Sequence, residues 1–336
     1  MTNPSADDAR PADAGRASAP DQPQESHAPQ PSQDHHEGNA EVAAERAEVA
    51  AAEAEAAAAQ AQFAAGQAET AYAQAPSPNG DAAEPLLRLV GIGKNFGPVR
   101  ALIGVDLDVP PGQVTAIVGD NGAGKSTLIK TISGIWQPDS GEIIWKGRPV
   151  RLHSPKDATD LGIATVYQDL ALADNLDIVQ NMFLGRELIT HLILDEVAME
   201  KQAKRTLADL SVVTVRSVRQ PVGSLSGGQR QAVAVAKAVL RQAQLVIMDE
   251  PTAALGVTQT RVVLDLITRL KSQDIAVIVI SHNLNDVFSV ADRLAVLRLG
   301  HVVAVGPKSR FDTESVVDLM TTGSSKRLAA ATAEHS

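Results

Sequence analysis

The sequence predicts an α/β fold built around a mostly parallel, buried sheet, and two observations carry this. From Pro85 onward, short β-like runs ("ALIGVDLDV", "VTAIVG", "LVIMD", "IAVIVI", "RLAVLRL") alternate with helix-like stretches. That is the rhythm of strands joined by crossover helices. The two most apolar runs, Leu245–Met248 and Ile275–Ile280, are continuous rather than alternating. Strands covered on both faces need that pattern, so both are expected near the centre of the sheet.

Taken from the N-terminus, the chain first presents an extension, residues 1–84, with 3 arginines against 15 acids. Residues 1–39 are rich in Pro, Gln, Asp, Ser and Ala and carry almost no bulky apolar side chains. Such a segment cannot bury enough surface to offset its ordering entropy, and disorder is the expected state. In residues 40–75, 19 of 36 positions are alanine, and propensity favours a helix there. Val42, Val49, Ala56 and Phe63 recur every seven residues without a second apolar row, so a solvated alanine helix is favoured over a coiled coil. "PSPNGD", Pro76–Asp81, marks a linker. The globular part is expected over 85–322, with a strand-poor, helical stretch at about 169–225 and a flexible tail over 323–336.

Charge and composition exclude several classes. The whole chain carries −10, but residues 85–336 hold 27 bases and 25 acids and are nearly neutral. A strongly basic nucleic-acid binder is therefore not expected. The chain has no cysteine, which removes disulfides and thiolate metal sites and is compatible with a reducing compartment. Its apolar runs are far shorter than a membrane span. The start "MTNPSADDARPADAG" lacks a basic segment followed by an apolar core, so no secretory signal is read there.

The chemistry begins at "VTAIVGDNGAGKSTLIKTI". Gly119, Asp120, Asn121, Gly122, Ala123, Gly124, Lys125 and Ser126 match G-x4-G-K-[ST], with Thr127 next in a helical pattern. Glycines let backbone N–H groups wrap a phosphate, and the following helix N-terminus adds its dipole. Lys125 offers a point charge to the β and γ phosphates, and the Ser126 hydroxyl can ligate Mg²⁺. This predicts a nucleoside triphosphate site with Mg²⁺. Further on, "LVIMDEP" ends an apolar run in Asp249 and Glu250. An acid leaving the carboxyl end of a buried strand beside a phosphate loop is placed to hold Mg²⁺, directly or through water. The second acid can polarise the attacking water.

Upstream of these acids lies "LSGGQRQAVAVAKAVL". A Gly-Gly pair opening a helix offers a second anion site. Leu225, Ser226, Gly227, Gly228 and Gln229, lying between the phosphate loop and the acid pair, closely resemble the signature of ATP-binding cassette (ABC) ATPases. The resemblance covers about residues 86–322. It implies a P-loop NTPase cassette, with a mostly parallel core, an antiparallel β region and a helical subdomain. It also implies that Ser226 and Gly228 cap the γ-phosphate of ATP held by a second cassette, so each ATP needs two copies or a related partner. On the same resemblance, Phe96 in "KNFGPVRAL" stacks on adenine, and Gln168 in "TVYQDL" senses the γ-phosphate and Mg²⁺. His282 in "VIVISHNL", 33 residues past Asp249, is the switch histidine. His153, His191, His301, His35 and His36 match nothing and are read as surface residues. Two positions depart from the common pattern: Gly256 where many cassettes have an aspartate, and Lys237 where an arginine is commoner.

Within this span, "VYQDLALADNLDIVQNMFLGRE" resembles monosaccharide importers of the ribose, xylose and fructose type. The implied activity is ATP hydrolysis coupled to sugar import at the cytoplasmic face of the membrane. The implied partners are a second cassette, permease subunits and an extracytoplasmic sugar-binding protein, with no nucleic acid. The competing class is a soluble ABC ATPase acting on ribosomes or DNA. Such proteins usually pair two cassettes or carry long coiled-coil insertions, whereas only 57 residues separate Gln168 from Leu225. A catalytically dead module would have lost Lys125, Asp249 or Glu250, and all three are present.

Overall fold

A computed structural model describes residues 84–212 and 215–325. The predicted helix over 40–75 and most of the predicted tail lie outside the described residues. The chain opens with β1 (Leu87–Phe96) and β2 (Val99–Val109), then β3 (Val114–Val118), which leads into α1 (Lys125–Ile132). Next come β4 (Ser140–Trp145), β5 (Arg148–Val150), α2 (Pro155–Leu161) and β6 (Ile163–Val166). The helical stretch follows, with α3 (Ile178–Phe183), a small hairpin of β7 (Ile189–Thr190) and β8 (Ile193–Leu194), α4 (Glu196–Asp209) and α5 (Gly227–Leu240). The remainder is β9 (Leu245–Asp249), α6 (Val257–Ser272), β10 (Ala276–Ile280), α7 (Leu284–Val290), β11 (Arg293–Arg298), β12 (His301–Pro307) and α8 (Thr313–Thr322).

Two sheets organise these elements. The larger has the order β12-β11-β3-β10-β9-β6 and is parallel except for the β11/β12 hairpin. The smaller, β2-β1-β4-β5, is antiparallel. The mixed α/β architecture expected from the sequence is therefore present. Both continuous apolar runs became interior strands, β9 and β10, and their side chains serve two cores at once. Leu245, Ile247, Ile278 and Ile280 join α1 and the antiparallel sheet in one cluster. Val246, Met248, Val277 and Val279 join residues of α3, α5 and α6 in another. Each such side chain, withdrawn from water, contributes about 1.5–3 kcal/mol. This is why neither strand shows the polar alternation of a half-exposed one.

The helical stretch differs from its sequence reading in one respect. It contains the β7/β8 hairpin, whose Ile189, Leu192 and Ile193 are largely exposed. Strands of two residues each leave no periodic signal, so a helical reading swallowed them. The stretch is pinned at its start by Asn181, fully buried, which accepts from the Ala173 amide and donates to the carbonyls of Ala173, Leu176 and Asp177. A buried amide satisfied on both ends fixes the loop that follows Gln168.

Candidate nucleotide site

Parallel strands deliver their carboxyl ends to one edge of a sheet, and here that edge gathers the predicted chemistry. In register, Ile280 of β10 faces Asp249 of β9 on one side and Ile117 of β3 on the other. The loop after β3, the acids after β9 and the histidine after β10 thus leave the sheet side by side. On the next strand out, Val166 of β6 pairs with Met248, so Gln168 leaves the same edge beside Asp249. It is exposed, and the preceding Tyr167 is tied to the end of α1 by its hydroxyl, 2.9 Å from Ser133 Oγ.

The phosphate loop turns into α1 at Gly124, whose φ of 108° belongs to the left-handed region. A Cβ there would lie 2.7 Å from the Ala101 carbonyl oxygen, so only glycine allows this turn against β2. No side chain caps α1. The first-turn amides, those of Lys125, Ser126 and Thr127, have no intrahelical acceptor, which is what an anion-binding helix start offers. The Lys125 ammonium folds back over the loop, donating to the Gly119 carbonyl at 2.6 Å and the Asp120 carbonyl at 2.9 Å. Burial lowers its pKa, while the charges of Glu250, Asp120 and Asp249 pull it back up. Burial, then the charge of Glu250, pushes the Asp249 carboxyl above its ordinary value, opposed by Lys125 and Lys130. The site is thus a half-buried cation set among three carboxylates.

Glu250 follows with φ of 49°, a left-handed conformation for a residue with a side chain. Its amide is held by the Ile280 carbonyl at 2.9 Å, and its Oε2 lies 2.9 Å from His282 Nδ1. With Glu250 ionised, Nδ1–H is the donor, and the imidazole fixes the direction of the carboxylate. Glu250 is mostly buried and His282 mostly exposed, so the histidine roofs the acid. The turn beyond is locked where Thr252 Oγ1 donates to Asp286 Oδ2 of α7, 2.8 Å away.

Ser226 to Gln229 lie elsewhere, at the start of α5, and no hydrogen bond among the described residues joins them to the phosphate loop. Ser226 is the N-cap of a reciprocal capping box, in which its Oγ accepts from the Gln229 amide and Gln229 Oε1 accepts from the Ser226 amide. Gly227 and Gly228 sit against α6 and the turn before it, where a Cβ on Gly227 would lie 2.6 Å from Leu255 Cδ2. Gly256 is the N-cap of α6 with open space around its Cβ position, so the fold has room for the aspartate that many cassettes carry. His153, His191 and His301 are exposed, as expected. His35 and His36 lie outside the described residues.

Phe96 ends β1 and is 40% exposed, leaving ring surface for a ligand. Its neighbour is a residue that sequence reasoning missed: the Trp136 ring lies 4.7 Å away at 66°, an edge-to-face pair. No local motif marks Trp136. The only available signal was its place in the loop just past the phosphate-loop helix.

A phosphate loop, an acid pair on a neighbouring strand and a separate Gly-Gly helix start, hung on this pair of sheets, are the architecture of the nucleotide-binding cassettes. The sequence profile described as "ABC transporter" matches residues 102–253, and the chain belongs to the ATP-binding proteins of the ABC transporter family. It is 47% identical to the fructose import ATP-binding protein FrcA of Rhizobium meliloti, over 71% of this chain and 95% of that one. It is 44% identical to the xylose/arabinose import ATP-binding protein XylG of Sulfolobus acidocaldarius, over 70% of this chain and 94% of that one. The match to the ribose import protein RbsA 2 of Rubrobacter xylanophilus, at 41% identity, spans 46% of that longer chain. Among solved structures, the ADP conformation of MJ1267, an ATP-binding cassette of an ABC transporter, superposes with a TM-score of 0.62 at 25% identity. That match covers 75% of this chain and 99% of that one.

Proposed function

We propose that this chain is the ATP-binding and ATP-hydrolysing subunit of a monosaccharide importer. The observation that carries the reading is its match to nearly the full length of two sugar-import ATP-binding proteins, over about 70% of this chain, combined with an intact set of site groups. In this reading, the uncapped amides of α1 and the Lys125 ammonium hold the β and γ phosphates, and Phe96 stacks on adenine. Ser126, Gln168 and Asp249 supply oxygen donors for Mg²⁺. One carboxylate with neutral oxygens suits an ion that keeps several waters and shares the substrate phosphates. Bound Mg²⁺ would supply charge neutralisation at the phosphates. Glu250, aimed by His282, takes the proton of the attacking water.

The separation of Ser226–Gln229 from the phosphate loop supports completion of each site in trans. Ser226 and Gly228 at the start of α5 would meet the γ-phosphate held by a second copy or a related cassette. Closure is favoured because the closed pair binds ATP better than the open one, and hydrolysis removes that preference. No helix among the described residues is long and apolar enough to cross a membrane. Membrane attachment in this reading comes from permease subunits that hold the chain at the cytoplasmic face, with an extracytoplasmic sugar-binding protein delivering the cargo.

The relatives are sugar-import subunits, which favours this reading over a soluble ATPase acting on ribosomes or DNA. The test is affinity purification of the full chain from detergent-solubilised membranes. Co-purifying permease, and ATPase activity that rises in liposomes when a monosaccharide and its binding protein are added, are expected. Recovery with ribosomes alone, without any membrane protein, would overturn the proposal.

A further inference from the structure

We propose that Trp136 is a positioning residue for the base of the bound nucleotide, orienting Phe96 and fixing how far the base subsite lies from the phosphate loop. This rests on the reading of Phe96 as the adenine-stacking residue. The support is a chain of contacts running from one end of the site to the other. α1 begins at the phosphate loop and ends at Ser133, after which the backbone doubles back. The amides of Ile135 and Trp136 both donate to the Lys130 carbonyl, at 2.9 and 3.1 Å. Three residues later Asp139 bolts the loop to β1. Its amide donates to the Gly93 carbonyl at 2.8 Å, and its carboxylate accepts from Lys94 Nζ and from the Asn95 amide, both at 2.6 Å. Those three residues immediately precede Phe96.

Trp136 sits between these two anchors, with its ring edge-to-face with Phe96 and the Lys130 ammonium 4.6 Å from its centroid. Lys94 Nζ lies 5.7 Å from the Phe96 centroid. A cation over each ring and an edge-to-face contact between them hold the pair in one arrangement. A side chain at the end of a strand, next to a turn, would otherwise swing among rotamers and lose entropy on each binding event. Here that order exists before the ligand arrives. Because Lys125 and Lys130 belong to the same helix, α1 sets the phosphate end of the site directly and the base end through Trp136.

The experiment separates base from phosphate. Trp136→Ala is expected to raise the KM for ATP about 3- to 10-fold with kcat within about twofold. Inhibition by inorganic tripolyphosphate, which has phosphates but no base, should be unchanged. Trp136→Phe should recover most of the loss. Equal weakening of ATP and tripolyphosphate would mean a general loosening of the loop and would overturn the proposal. So would an unchanged KM in Trp136→Ala when Phe96→Ala raises it. If neither variant changes the KM, the assignment of Phe96 to adenine fails as well. A second measurement does not depend on the alanine variant folding. The chain has two tryptophans, so in Trp145→Phe the remaining indole is Trp136. Its emission should change with ATP and not with tripolyphosphate, and an emission blind to ATP would count against the proposal.

Discussion

Glu250→Gln is expected to bind ATP as the unaltered protein does while hydrolysing it about 10²- to 10⁴-fold more slowly. The geometry explains why so small a change separates the two steps. Glutamine keeps the length of the side chain, and its oxygen can still accept from His282 Nδ1–H, as Glu250 Oε2 does at 2.9 Å. The backbone bond from residue 250 to the Ile280 carbonyl is untouched. What disappears is basicity, and in the proposed mechanism that is the group receiving the proton of the attacking water. Removing one negative charge from the edge beside the phosphates should, if anything, favour the polyanion. The closed pair of cassettes should therefore accumulate. Phosphate release and the size of the protein in ATP-containing gel filtration read the two effects. Turnover equal to that of the unaltered chain would remove Glu250 from the role of base.

Lys125→Ala should abolish measurable turnover and weaken ATP binding by at least about 100-fold, equivalent to roughly 3 kcal/mol. The magnitude follows from what remains. Asp120, Asp249 and Glu250 all act electrostatically on Lys125, so deleting the ammonium leaves acids around a site meant for triphosphate. The loop also loses the two bonds from Nζ to the Gly119 and Asp120 carbonyls. Those carbonyls can turn to water, so the fold itself should survive with a stability change within about 1 kcal/mol, because a half-buried charge has gone too. Isothermal titration with ATP, beside a thermal melt without nucleotide, separates the two effects. Binding within threefold of the unaltered protein would sink the assignment of the phosphate loop.

What could be read from the sequence depended on how local its cause was. β9 and β10 were legible because burial on both faces writes an uninterrupted apolar run into the strand itself. The phosphate loop was legible because one stretch of eight residues contains the turn, the cation and the hydroxyl together. The placement of Asp249, Glu250 and His282 at one edge followed from strands being parallel, which a sequence suggests and a register settles. Trp136 was not legible. Its meeting with Phe96 depends on Asp139 gripping β1 from 44 residues away in sequence, a contact with no period and no motif. The β7/β8 hairpin escaped for the opposite reason, being too short to impose any pattern. The φ of Glu250 was hidden too, since nothing in "MDEP" announces a left-handed glutamate.

That last feature bears on how this protein would respond to selection. Holding a residue with a Cβ at φ of 49° costs on the order of 1–2 kcal/mol, and a glycine in its place would escape the cost. With Glu250 as the proposed base, heat resistance and turnover pull position 250 in opposite directions. A library sorted only for survival at high temperature should enrich glycine there, returning sturdier proteins that, on the proposed role of Glu250, grip ATP and cannot spend it. Enrichment of glutamate at 250 under that sorting would show the strain to be illusory. Screens for robust variants of this chain should carry an activity gate from the first round.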